Sequence, residues 1–346
     1  MLGSRCLVDS VLVLRKEKQL MKLVAIILNY NTAELTLKAI DSALDALTQI
    51  NGEWKLVVID NLSTDDSAAK INEQIVSSKE ATGGVWNQVE FIQSPVNGGF
   101  GAGNNIGFAR YLGEDNEPEY FFILNSDAFP TRNAIKVLVE NLDERPDCGI
   151  AGSYVFGIDD TPHSTAFRFP SIYSEIDSSV RLGLISRLLK NYTISLGIPE
   201  QSQKVDWLAG ASMLIRSTVL KQVGVFDETF FLYFEETDLC RRARRSGWGT
   251  FYALESKVAH VGSASTGMKT KTRIPEYWLD SRKHYFQKNH GKLYFYTATF
   301  FRVLGEVAYR LRILIEGKEE QNPDFFIRDL IRHTVTNKLK VKVTEQ

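Results

Sequence analysis

The sequence predicts an α/β protein with a mostly parallel central sheet flanked by helices and a helical C-terminal extension. Three observations predict it. Apolar runs of four to six residues recur along the first half of the chain, as strands buried on both faces require. Segments of helical periodicity separate these runs, and strand alternating with helix makes βαβ units and a parallel sheet. After Pro275 the pattern is helical and rich in aromatics to the end.

Residues 1–20 hold a short apolar patch at 11–14, broken by Asp9 and followed by Arg15-Lys16-Glu17-Lys18. That is too short and too charged for a membrane span or a signal peptide, so these residues read as a leader ahead of Met21. Residues 23–28 form the first strand, and Thr32 is placed to cap the helix that follows, with Leu35, Ala39, Ala43 and Leu47 at helical spacing. Further strands are predicted at 56–59, 89–92 and 120–124, with helices at about 65–78, 103–113 and 131–142. In such sheets ligands sit beyond the carboxyl ends of the strands. The polar clusters at 29–31, 60–65 and 125–127 all fall there. Between about 153 and 205 the pattern loosens to an insertion with one predicted helix, at 180–190. Regularity returns at 212–215 and 223–226, and a later strand at 249–252 leads to His260.

With 346 residues, 44% of them hydrophobic, the chain can bury the core of one large domain or two smaller ones. A net charge of −1 argues against nucleic acid as a partner. From Lys269 onward 16 basic residues face 9 acidic ones, so a basic tail follows an acidic body. Cys6, Cys148 and Cys240 are odd in number and far apart, which fits free thiols in a reducing, cytoplasmic compartment.

The densest chemistry lies in Phe234-Glu235-Glu236-Thr237-Asp238, three carboxylates behind an aromatic run. Glu235 and Asp238, spaced i,i+3, would share a helix face while Glu236 points elsewhere. Acids in a helix's first turn are favoured by its dipole, yet burial behind apolar residues would also raise their pKa values toward those of a base. Asn125-Ser126-Asp127 at a strand end suits a divalent cation with open positions for phosphate, or equally an Asx turn. The glycine-rich stretch 97–107 opens a helix and offers backbone N–H groups to phosphate. It is neither a P-loop, with no Gly-Lys-Ser/Thr, nor G-x-G-x-x-G, because Asn104 stands at the last glycine. His260 reads as a structural histidine or a metal ligand, and Trp207 with Gly210 and Ala211 as core or as the wall of a sugar site.

In this order, from about Lys22 to Ser265, these segments resemble glycosyltransferase family 2, the inverting enzymes of GT-A fold, and within it the rhamnosyltransferase-like branch. The resemblance implies a catalytic domain over 21–265, a donor half to about 127 and an acceptor half from 128, with 266–346 as the helical extension. It implies that Asn29, Asn31, Asp60, Gly99, Asn104, Asn105, Asn125 and Asp127 line the site of a nucleotide-diphosphate sugar, dTDP-rhamnose or a UDP-sugar. Asp127, with His260, would ligate Mg²⁺ or Mn²⁺. Trp207, Gly210 and Ala211 would meet the acceptor, a glycan or lipid-linked oligosaccharide. Glu236 would be the general base, with Glu235 and Asp238 as rivals.

Two positions depart from the family pattern: Asn125 replaces the first acid of D-x-D, and Glu236 stands where Asp is usual. A sugar-1-phosphate nucleotidyltransferase would be expected to carry a basic glycine loop after the first strand, where Asn29-Tyr30-Asn31 stands. A non-catalytic nucleotide-sugar binder would have no use for three candidate bases. The tail, with aromatics from Tyr294 to Phe301 beside Arg302, Arg310 and Arg312, suits either peripheral contact with the cytoplasmic face of a membrane or packing on the domain or a second subunit in a homodimer.

Overall fold

The computed structural model describes residues 21–262, 272–320 and 322–336. The leader, Ser263–Ser265 and the last ten residues, all named above, lie outside these ranges. The chain opens with β1 (Met21–Asn29), α1 (Ala33–Leu47), β2 (Glu53–Asp60), α2 (Ser67–Thr82), β3 (Val89–Gln93), α3 (Phe100–Tyr111) and β4 (Tyr120–Asn125). Then come β5 (Ala128–Pro130), α4 (Ala134–Asp143), β6 (Cys148–Phe156), β7 (Pro162–His163), β8 (Ala166–Phe167), α5 (Ile172–Val180) and α6 (Gly183–Leu188). The second half adds β9 (Gln203–Val205), β10 (Trp207–Leu208), β11 (Ser212–Arg216), α7 (Ser217–Val223), α8 (Glu235–Arg245) and β12 (Gly249–His260). Three helices follow: α9 (Glu276–His290), α10 (Lys292–Glu316) and α11 (Phe326–Thr336).

The main sheet runs β3-β2-β1-β4-β11-β6-β12-β5. Pairing is parallel from β3 through β4 and again between β6 and β12, while β11 runs antiparallel to both its neighbours. Alternate residues of each strand enter two separate cores. Leu23, Ala25 and Ile27 of β1 pack beneath α1, α2 and α4, whereas Val24 and Ile26 pack beneath α3, α7 and α8. A strand buried on both faces needs an apolar residue at every position, hence the unbroken runs. Register then aligns the polar strand ends, setting Asn29 opposite Asp60 and Leu28 opposite Asn125.

Several local expectations differ from the structure. Thr32 stands at the start of α1, but its hydroxyl bonds Asn29 Oδ1 (3.0 Å) instead of capping the helix. The single helix expected at 180–190 is two helices, α5 capped by Ser171 and α6. Residues 224–226 are irregular, because α7 ends at Val223 and Gly224 takes a positive φ. Strand β6 carries no apolar run, since small residues fill Cys148-Gly149-Ile150-Ala151-Gly152-Ser153. Its glycines are there for clearance: a Cβ on Gly152 would stand 2.8 Å from Leu208 and 3.1 Å from the Ser212 carbonyl.

The C-terminal helices are fastened to α5 through a buried ion pair. Arg282 donates to both oxygens of Glu175 (3.2 and 2.9 Å) and to Thr299 Oγ1 (3.0 Å), with only 2% of its side chain exposed. Removing one partner of such a pair leaves an uncompensated buried charge. Arg282→Ala is therefore expected to lower unfolding free energy by about 3–5 kcal/mol, read from the midpoint of chemical denaturation.

Candidate active site

At the carboxyl ends of the parallel strands lies a cleft of about 800 Å³, and both Asp127 and Glu236 line it. That volume suits a ligand well above the size of a single sugar. Its two polar ends are built differently. One is the strand-end triplet after β4. There Asp127 Oδ1 lies 3.0 Å from His260 Nε2, while Oδ2 accepts the Gly262 N–H (3.0 Å). Asn125 Nδ2 stands 3.4 Å from the same imidazole nitrogen. One carboxylate, one imidazole and one amide thus converge on the cleft. No cluster of three His, Cys, Asp or Glu occurs among the described residues. Such a donor set fits a hard cation that takes its remaining ligands from phosphate oxygens and water.

The other end is the start of α8. Tyr233 and Phe234 both take left-handed φ values (70° and 69°), turning the chain sharply so that the helix begins at Glu235. Two consecutive non-glycine residues there carry backbone strain that the surroundings must hold. They are well held: Phe230 is buried against Tyr285, Phe286 and Phe295, and the Leu232 carbonyl accepts from Ser281 Oγ (2.9 Å). Glu236 Oε1 accepts the Gly210 N–H (3.1 Å), and a Cβ on Gly210 would lie 2.9 Å from that oxygen. Burial raises the Glu236 pKa. It raises that of Glu235 well above the ordinary range, with the Glu236 charge adding to the effect. Glu235 Oε2 has no hydrogen-bond partner among the described residues.

The expected pairing of faces on α8 is reversed. Glu235 and Glu236 both line the cleft. Asp238 is fully buried on the far side, held by Arg242 (2.7 Å), Lys288 (2.8 Å) and Asn289 (3.1 Å). It is an anchor between α8 and α9, turned from the cleft by its counter-ions.

Among the residues expected at the donor, Gly99, Asn125 and Asp127 line the cleft. Others lie outside its lining. Asp60 is inaccessible and accepts from Asn29, from Ser63 twice and from Gln93. Asn31 braces Ser63 and Thr64. Asn104 bonds the Phe100 carbonyl, and Asn105 clamps Phe226 and Glu228. Of the acceptor set, Gly210 and Ala211 line the cleft. Trp207 stacks on Phe167 (ring centroids 4.3 Å apart), and its indole bonds the Arg168 carbonyl. Lining residues outside those sets include Tyr30, Asn61, Asn97, His163 and Tyr277. The first three adjoin motifs already marked in sequence. Tyr277 comes from α9, near Phe231 and Tyr233 (5.7 and 6.3 Å), and no local pattern singles it out.

Comparison with known proteins bears on this arrangement. Residues 24–222 match the family model described as Glycosyl transferase family 2. The chain is 24% identical over 260 residues to an N-acetylglucosaminyl-diphospho-decaprenol L-rhamnosyltransferase of Mycobacterium tuberculosis, covering 73% of this chain and 80% of that protein. It is 27% identical over 219 residues to rhamnosyltransferase WbbL of Escherichia coli, covering 59% and 76% respectively. In fold it is similar to a Pyrobaculum calidifontis mannosyltransferase solved with GDP-Man and Mn²⁺ (TM-score 0.53, 10% identity, 88% of this chain and 78% of that one). A family match over more than half its length, on a sheet whose strand ends open into this cleft, makes the chain a member of glycosyltransferase family 2.

Proposed function

We propose that the chain transfers a sugar, rhamnose, with inversion from a nucleotide-diphosphate donor to a hydroxyl of a glycan or lipid-linked acceptor. The observation that carries this reading is that Asp127 and Glu236 face one cleft. The rhamnosyltransferase relatives favour rhamnose, and one of them is named for a lipid-diphosphate acceptor.

In this reading Asp127, His260 and Asn125 would hold a Mg²⁺ or Mn²⁺ ion, which would supply charge neutralisation for a departing diphosphate. The remaining work belongs to protein side chains. Leu28, Tyr30, Asn61 and Asn97 form the nucleotide slot, and Asp60 stiffens it through Asn29, Ser63 and Gln93. Glu236, aimed by the Gly210 N–H, takes the proton from the attacking hydroxyl. A base of this kind contributes roughly 10²–10⁴-fold, most when its pKa approaches working pH, and burial moves Glu236 in that direction. Burial, with the Glu236 charge adding to it, raises Glu235 further and favours its protonated form. The aromatic side chains of Phe231, Tyr233 and Tyr277 wall the acceptor side.

Turnover of dTDP-rhamnose and UDP-sugars with candidate acceptors tests the proposal, and failure to transfer or hydrolyse any nucleotide sugar would overturn it. Glu236→Gln should cut the transfer rate about 10²–10⁴-fold while a donor still raises the melting temperature. Asp127→Ala should abolish the Mn²⁺-dependent part of that thermal shift; an unchanged metal titration would remove Asp127 from the cation site.

The buried acids also predict a pH dependence of stability. A carboxyl whose folded pKa is raised contributes stability that is fully present below its unfolded pKa and lost as pH rises through the folded value. Glu235→Gln should therefore melt above the parent protein at pH 8. The difference should vanish toward about pH 4, below the ordinary glutamate value.

A further inference from the structure

Helix α10 presents an outer face that nothing among the described residues covers. Its inner face buries Phe295, Ala298, Tyr309 and Ile313, and Gly305 lies so close to Ser179 of α5 that a Cβ would collide. The outer seam is Leu293, Thr297, Phe300, Leu304, Val307, Leu311 and Leu314, whose separations alternate four and three along the helix. Thr297 is half-buried, and the other six are apolar and exposed, from 42% at Val307 to 81% at Leu293. Tyr296 and Ile315 widen the stripe. At its margins Arg310 is paired with Glu320, and Arg312 with Glu316.

We propose that this face joins two copies of the chain, α10 against α10 about a two-fold axis. The exposed side chains leave on the order of 1,000 Å² uncovered, well beyond the few hundred usual for the largest patch on a monomer. Two such faces together would bury up to about 2,000 Å², the size of a stable interface. The spacing points to a second helix as the occupant. Strict four-three alternation lets side chains interdigitate with a neighbouring helix, whereas lying on lipid asks only for an apolar half with free cations at its edge. Here the marginal arginines named above are already neutralised by glutamates of the same chain. A two-fold axis lets one patch serve both copies and closes the assembly at two.

Light scattering on the full chain at micromolar concentration tests this. The wild type should run at twice 39.1 kDa. The double variant Leu304→Glu/Leu311→Glu should run as a monomer with nearly unchanged melting temperature, because both side chains are exposed in the protomer. As a check independent of variant stability, Leu304→Cys in a Cys6→Ser background should oxidise to a covalent dimer; Cys148 and Cys240 are buried and would not compete. A monomeric wild type, a double variant that stays dimeric, or no cross-link from Leu304→Cys would overturn the proposal. So would a monomer that floats with phosphatidylcholine–phosphatidylglycerol vesicles and loses this in the double variant, which would assign the face to a membrane.

Discussion

The cleft depends on two places where backbone approaches without a side chain between. Gly99, at a φ of 90°, packs so tightly on the Phe231 carbonyl that a Cβ would collide with it, and the next N–H, of Phe100, donates to that carbonyl (3.0 Å). Gly210, whose φ is not positive, comes close to the Glu236 side chain and donates its own N–H to Oε1. Together they draw the start of α8 against the glycine loop. At Gly99 only glycine combines positive φ with such proximity. The run of glycines is therefore chiefly a packing device: Gly103 and Gly107 continue it against Leu28 and Ile26, letting α3 settle onto β1.

That closeness has an electrostatic result. Burial raises the pKa values of Glu235 and Glu236, while the buried strand-end carboxylate of Asp127 accepts the Gly262 N–H and stands against the His260 imidazole. One cavity thus holds two carboxyls with raised pKa values at one end and a carboxylate with hydrogen-bond partners at the other. This is how a single fold can offer a proton acceptor at one end and a seat for charge at the other.

Much of the fold was legible because burial on both faces of a parallel sheet leaves a direct trace in sequence. The runs at 23–28, 56–59 and 120–124 are strands, and their polar ends meet where alternation places them. Strand β6 was not legible, since its Gly149 and Gly152 exist to let neighbours approach and carry no apolar signal. Helical spacing misled at Asp238: three positions from Glu235 puts it on a shared face of an ideal wheel, but Arg242 and Lys288 claim it and the cleft wraps the helix start instead. Asn104 and Asn105 look like ligand-binding residues but do not line the cleft, Asn104 donating to the Phe100 carbonyl and Asn105 to the Phe226 carbonyl and Glu228. Tyr277 could not be read at all, because its place in the cleft is set by how α9 lies on the domain.

The matched family region ends at residue 222, short of α8 and of the C-terminal helices that support it. Phe230 rests on α9 and α10, Leu232 is tied to Ser281, and the charge of Asp238 is met by Lys288. The C-terminal helices are thus the scaffold on which the turn at Tyr233 and Phe234 is moulded. A shortened version ending near residue 265, or a chimera grafted there onto another relative's tail, would lose the mould as well as the appendage. Exchange of parts between such enzymes is best made at the far edge of the sheet, beside β3.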